Sequence, residues 1–207
     1  MERSRFDRWV VFDLGEVLSE SPSHLARIAQ LLAAPAPEVL AAYWRHRAAY
    51  DEGGSGSDYW RAVGRDLGMT LDDVLRDRLI EVDSLGWTSL HEASEPLLRE
   101  VKAAGFGLAM LSNLPRELAV RVRDQAWSEL FDVLVFSCDV GVMKPDPAIY
   151  RIVQERVAAD AGAVPFVFFD DRVENVDAAA VAGWRGHVWA GHDDARSVLA
   201  RTGASSS

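Results

Sequence analysis

The chain has 207 residues, more than one average domain needs and too few for two full-sized ones, so a core carrying a smaller insertion is the expected organisation. Hydrophobic residues make up 49% and charged residues 26%, a globular balance that excludes broad disorder. The formal net charge is -10 and the basic residues are scattered singly, which leaves no cationic stripe for a nucleic acid or an anionic membrane; the expected partner is a small, locally recognised molecule.

The first residues, MERSRFDRWVVFDLG, hold only a short apolar run with an acidic residue, without a signal-peptide core. The expectation is a cytoplasmic protein that neither spans a membrane nor is exported, and the single cysteine, Cys138, suits a reducing compartment. Apolar runs of strand length follow at residues 9–12, 107–111, 133–136, 165–169 and 186–190. They carry little polar alternation, the pattern of strands covered on both faces, and helical periodicity fills residues 94–104, 115–127, 146–160 and 173–181 between them. The expected fold is therefore α/β: a three-layer, Rossmann-like parallel sheet with its first strand central. Gly105 and Gly183 sit where helix C-caps belong, and the GASSS tail reads as a frayed end.

Residues 19–87 break this alternation and read as several amphipathic helices interrupted by a flexible DEGGSGSD loop at residues 51–58. An insertion directly after the first strand is expected over the carboxyl edge of the sheet, where open α/β folds bind ligands. The expected division is a core of residues 1–18 and 88–207 with a helical cap of residues 19–87. Tyr43, Trp44, His46, Arg47, Tyr59 and Trp60 in that cap form either its own core or a sugar-binding wall. The five histidines show no ligand spacing, and Cys138 reads as a packed side chain rather than a nucleophile.

Four segments place polar groups just after a predicted strand. WVVFDLGEVL ends a buried strand on Asp13, with Gly15 expected to allow a tight turn. LAMLSNLP puts the Ser112 hydroxyl and Asn113 amide at the next strand end, as donors for an anion. GVMKPDPAIY sets Lys144 before a proline-started helix, and FVFFDDRVENVDAA closes an apolar strand on the adjacent carboxylates Asp170 and Asp171. Singly, Asp13 also reads as a helix N-cap, Ser112 and Asn113 as turn residues and Lys144 as a solvated lysine. Two adjacent carboxylates repel unless a cation or donors compensate them. Together the segments offer what phosphoryl transfer needs: a carboxylate nucleophile, donors for the equatorial oxygens and ligands for a neutralising cation. Mg²⁺ prefers oxygen donors, so Asp13, the Gly15 carbonyl and Asp171 form a reasonable protein share of its shell.

The order D-x-x-G, S-N, K-P-D-P-x-x-Y, F-F-D-D-x-x-x-N resembles the haloacid dehalogenase superfamily, and the insertion resembles its C1-type helical cap. FDLGEVL and FFDDRVEN look most similar to sugar-phosphate phosphatases, typified by α-glucose-1-phosphatase, and to the amino-terminal phosphatase domains of soluble epoxide hydrolases. The resemblance implies Asp13 as nucleophile, Ser112 and Asn113 as phosphate binders, Lys144 as charge-neutralising partner, and Asp170 and Asp171 as metal-side acids. Asp171 ranks first as ligand because of its spacing to Asn175. It implies a Mg²⁺-dependent hydrolase of a small phosphomonoester, with sugar phosphates favoured, working as a monomer or homodimer through an aspartyl-phosphate. One position departs from the pattern: family phosphatases mostly carry an acid two residues after the nucleophile, and this chain has Gly15. The general acid is left to Glu16, a cap residue or metal-bound water, so a slow enzyme, or one limited to good leaving groups, is expected and a phosphomutase disfavoured. The alternatives are a 2-haloacid dehalogenase and a catalytically silent phosphate-binding protein.

Overall fold

The computed structural model describes residues 6–19, 23–157 and 166–204. Strand β1 (Trp9–Phe12) leads into five helices, α1 (His24–Leu32), α2 (Ala36–Arg45), α3 (Arg47–Asp51), α4 (Gly56–Asp66) and α5 (Asp73–Gly86). Then come α6 (Ser94–Ala103), β2 (Gly107–Ser112), α7 (Arg116–Arg123), a 3-10 turn (Ala126–Leu130), β3 (Val133–Phe136), α8 (Ser137–Val140) and α9 (Pro147–Arg156). The chain continues through β4 (Phe166–Asp170), α10 (Val173–Val181), β5 (Arg185–Val188) and α11 (His192–Ala204). The strands form one parallel sheet in the order β3-β2-β1-β4-β5, so β1 is central, as its wholly buried WVVF run requires.

Side chains of β1 alternate between two apolar layers. Val10 and Phe12 join Leu97, Leu98, Leu118 and Val198 from α6, α7 and α11, while Trp9 and Val11 join Ile149, Tyr150, Val153 and Ala179 from α9 and α10. Each fully buried large side chain removes enough apolar surface to contribute roughly 1.5–3 kcal/mol. A third cluster belongs to the helices between β1 and β2: Leu25, Ile28, Tyr43, Tyr59, Trp60, Val63 and Leu79 pack on one another. This unit meets the sheet layer where α5 lies on α7 and α3 on α8, the helices that follow the carboxyl ends of β2 and β3.

Several boundaries differ from the sequence expectation. The loop expected at residues 51–58 shrinks to residues 52–55, because Asp51 still belongs to α3 and the Ser55 hydroxyl caps α4, accepting from the Asp58 N–H at 3.3 Å. The helix expected over residues 115–127 stops at Arg123, where the Ser128 hydroxyl donates to the Arg123 carbonyl and closes the helix with a tighter turn. β5 begins at Arg185 rather than Gly186 and, as an edge strand, is partly exposed. Helix α11 continues through Gly203 and Ala204 of the expected frayed tail, whereas residues 205–207, like 158–160 of the expected 146–160 helix, lie outside the described residues. Gly105 and Gly183 both take a positive φ at the ends of α6 and α10, as C-caps do. Among the described residues no single helix is long and apolar enough to cross a membrane.

Candidate active site

Parallel pairing sets the geometry. Phe12 is in register with Met110 of β2 and Phe169 of β4, so Asp13, Ser112 and Asp170 emerge together at the carboxyl edge, where the chain departs in opposite directions on either side of β1. The Asp13 N–H still donates to the Phe169 carbonyl at 3.0 Å, holding the two strand ends side by side.

Lys144 lies between them. Its ammonium is 3.0 Å from Asp13 Oδ1 and 2.6 Å from Asp170 Oδ2, and its side chain is almost wholly buried. Burial alone would lower its pKa, but the Asp13 and Asp170 carboxylates outweigh burial and hold it above the ordinary lysine value, so it stays charged. Asp170 is fully engaged elsewhere too: its Oδ1 accepts from the Asn175 side-chain amide at 2.8 Å and from the Arg172 N–H at 2.9 Å. Asn175, buried under Tyr150, whose hydroxyl donates to the Asn175 carbonyl at 2.8 Å, thus fixes Asp170, which fixes Lys144.

Asp13, Asp170 and Asp171 each offer a carboxylate oxygen within 4.8 Å of one another. One ammonium among three such groups leaves negative charge uncompensated. The consequence is visible in two of them: burial, with Asp170 adding repulsion and Lys144 opposing, pushes Asp13 up, and burial together with Asp13 and Asp170 pushes Asp171 up to about 6. A cation among these oxygens removes that repulsion, and an all-oxygen donor set suits Mg²⁺. Asp171 is the exposed member, and Asp170 the one whose oxygens are already occupied.

Two expectations need revision. Asn113 does not keep its amide for an anion alone: Oδ1 accepts from the Lys144 N–H at 2.8 Å and Nδ2 donates to the Lys144 carbonyl at 2.9 Å, clamping the main chain that carries the lysine. Gly15 does not supply the turn's unusual backbone; the left-handed residue is Glu16, φ 55°, and a Cβ at Gly15 would meet only Trp87 at an ordinary 3.7 Å. Ser112 stays where expected, buried at the strand end with its hydroxyl close enough to Asp13 to oppose the upward shift of that carboxyl.

These groups form the floor of a cavity of about 650 Å³ whose far wall comes from the inserted helices, including Trp44, Arg47, Ala48 and Asp51, with Trp87 at the junction. The six singled-out residues of the insertion divide. Tyr43, Tyr59 and Trp60 belong to its buried cluster, His46 pairs with Asp66 at 2.9 Å on the surface, and only Trp44 and Arg47 face the cavity. Asp51 and Trp87 were not singled out in the sequence. For Asp51 the available signal was its position four residues after Arg47, which makes the pair neighbours on one helix face, 2.8 Å apart.

The profile of the haloacid dehalogenase-like hydrolase family matches residues 8–183. The chain is 28% identical over 134 residues to Phosphatase MT3486 of Mycobacterium tuberculosis (strain CDC 1551 / Oshkosh), covering 64% of this chain and 60% of that one. It is 32% identical over 111 residues to an (S)-2-haloacid dehalogenase of Pseudomonas sp. (strain YL), covering 53% and 47%. It therefore spans about half the length of these curated relatives. A solved variant of the HAD family enzyme bt-2542 from Bacteroides thetaiotaomicron, in complex with magnesium and inorganic phosphate, superposes with a TM-score of 0.68 at 14% identity over 87% of this chain and 93% of that one. Phosphatases and dehalogenases thus both stand among the relatives, and the fold is shared with the solved structure. The chain belongs to the haloacid dehalogenase-like hydrolase family.

Proposed function

We propose that the chain is a Mg²⁺-dependent phosphatase that hydrolyses a small phosphomonoester through an aspartyl-phosphate on Asp13. The observation that carries this reading is the charge imbalance at the strand ends: three carboxylates within 4.8 Å of one another against the single ammonium of Lys144. Asp13, Asp171 and the Gly15 carbonyl would hold the cation, with Asp170 at its edge; when bound, Mg²⁺ neutralises charge spreading over the phosphoryl oxygens. The Asp13 Oδ that does not face Lys144 attacks phosphorus, and the ester oxygen leaves. Lys144 pairs with a phosphoryl oxygen while keeping Asp13 oriented, and the Ser112 hydroxyl donates to another. Water then attacks phosphorus, the bond to Asp13 breaks, and inorganic phosphate departs. The protein names of relatives such as the mycobacterial phosphatase agree with this reading. Sugar phosphates are the favoured class, because Trp44 and Trp87 offer stacking faces and Arg47 and Asp51 offer polar partners on the same cavity wall.

Release of phosphate from a panel of phosphorylated metabolites with Mg²⁺, beside Asp13→Asn, tests the reading. Turnover is expected to fall by at least about 10⁴ in the variant; full activity in Asp13→Asn, or none in the wild-type protein, sinks it. A dehalogenase reading has support in the Pseudomonas relative, but alkyl halide displacement has no use for the Asp170–Asp171 pair. Halide release from 2-chloropropionate without Mg²⁺ would establish it. A silent phosphate-binding protein, suggested by the missing carboxylate at Gly15, predicts phosphate binding without turnover of any ester.

A further inference from the structure

On the core side of the cavity that contains the nucleophile, Gly15 stands two residues beyond Asp13, which leaves Glu16 and the metal-side Asp171 as the carboxyl groups there besides Asp13 itself. The inserted helices place one carboxyl group in that cavity: Asp51, the last residue of α3, whose side chain is buried and faces the space shared by Asp13, Lys144 and Asp171. Its position is fixed from two sides. Arg47, one turn earlier, holds Oδ1 at 2.8 Å, and the Ser137 hydroxyl, at the carboxyl end of β3 in the core, donates to the Asp51 carbonyl. The latter bond ties the main chain of this cap residue to the sheet that carries the nucleophile.

We propose that Asp51 is the general acid of the reaction, a carboxyl group supplied by the cap in place of the one the core lacks at Gly15. This rests on the phosphatase reading above and names the residue that handles its proton. In the first half-reaction Asp13 forms a bond to phosphorus, the bond from phosphorus to the ester oxygen breaks, and the Asp51 carboxyl proton passes to that oxygen, giving the free alcohol. In the second, the Asp51 carboxylate takes a proton from the attacking water as the bond between Asp13 and phosphorus breaks, which restores both side chains. The charged and titratable groups that face Asp51 are Arg47 on its own helix, Asp83 from α5, Asp13 at the end of β1 and the Cys138 thiol of α8. Burial pushes Asp51 up to about 6 even against Arg47, so a protonated fraction is available near neutral pH. Of the core-side acids on the cavity, Asp171 is assigned to the cation, and Glu16 is solvent-exposed with no side-chain partner among the described residues.

The test is a leaving-group series of aryl phosphates, from 2,4-dinitrophenyl to phenyl phosphate, with Mg²⁺. Asp51→Asn is expected to lose about 10²–10⁴ in kcat/KM toward phenyl phosphate, whose leaving group needs the proton, and only a few-fold toward 2,4-dinitrophenyl phosphate. Asp51→Glu should restore part of the loss. A purely structural role would lower both substrates alike, and either that parallel loss or no loss overturns the proposal, as does steepening in Glu16→Gln instead. Should Asp51→Asn fail to fold, the wild-type protein decides: the ratio of kcat/KM for phenyl over dinitrophenyl phosphate, each counted on the dianion, should fall as pH rises through about 6. A flat ratio overturns the assignment. No turnover of any ester by the wild-type protein, or turnover that survives Asp13→Asn, removes the phosphatase reading as well; a normal Asp13→Asn result beside an unselective Asp51→Asn removes only this inference.

Discussion

Glu16 shows how much of a site can hide in one backbone angle. Its φ of 55° is a conformation that costs a non-glycine residue about 1–2 kcal/mol. Gly15 beside it has no positive φ and room for a Cβ. We therefore expect Glu16→Gly to raise stability by about 1 kcal/mol and Gly15→Ala to be neutral or stabilising by about 0.4–1 kcal/mol. Urea denaturation of both variants checks this, and a marked loss in Gly15→Ala would contradict it. Asn113 acts at the same scale. Asn113→Ala leaves the Lys144 N–H and carbonyl without their partner, at a cost of about 1–3 kcal/mol. Because the ammonium then loses its fixed reach toward Asp13, the proposed phosphatase activity should fall further than stability explains; equal activity in folded Asn113→Ala would show that the clamp is dispensable. Asp13, Ser112, Lys144, Asp170 and Asp171 were legible in the sequence because each closes or follows a buried apolar run or, for Lys144, directly precedes a proline-marked helix start. The clamp of Asn113 was not, since its partner lies 31 residues away and only the fold brings the two together.

Among elements, strands read most clearly where both faces are covered: β1, β2 and β4 are wholly buried and apolar up to the polar residue that closes β2 and β4, whereas β5, with Arg185 and His187 on a sheet edge, is displaced from its expected start. Helix α11 was missed because its His-Asp-Asp-Ala-Arg-Ser sequence puts few apolar residues on its single buried stripe. In the inserted helices, the aromatic cluster hides an ionic one. Asp83 accepts from the Tyr43 hydroxyl at 2.6 Å and lies 3.0 Å from Arg47 and 3.6 Å from His24. Burial alone would raise Asp83, but Arg47, His24 and Tyr43 outweigh it and lower its pKa. Its contribution is therefore present above the unfolded value of about 3.9 and is lost as pH falls through the lower folded value. Asp83→Ala leaves Arg47 buried with one partner fewer, and calorimetry should show a loss of about 3–5 kcal/mol; a loss below about 1 kcal/mol would mean the cluster is not coupled.

For the molecule as a whole, a net charge of -10 would oppose the approach of the proposed phosphate ester, so on that reading a cation at the strand ends serves binding as well as chemistry. Asp171, raised to about 6, contributes stability below its unfolded value of about 3.9 that is lost as pH rises through about 6. Mg²⁺ should restore it there. At about 100 times its Kd the ion adds about 2.7 kcal/mol, roughly 5–10 °C in Tm for a chain of this size. The shift should be full at pH 7.5 and shrink at pH about 5, where protons compete for Asp171. A pH-independent shift, or one that persists in Asp13→Asn with Asp171→Asn, would place the ion elsewhere.

Cys138 sits in α8, against α3 of the inserted helices, with Gly53 packed against its carbonyl and its thiol pushed up to about 12 by burial and by Asp139. So little thiolate is present near neutrality that alkylation is expected to be slow while the thiol stays covered. A maleimide labelling rate, read with and without phosphate and Mg²⁺, would therefore time the breathing of the enzyme at the one sulfhydryl it owns.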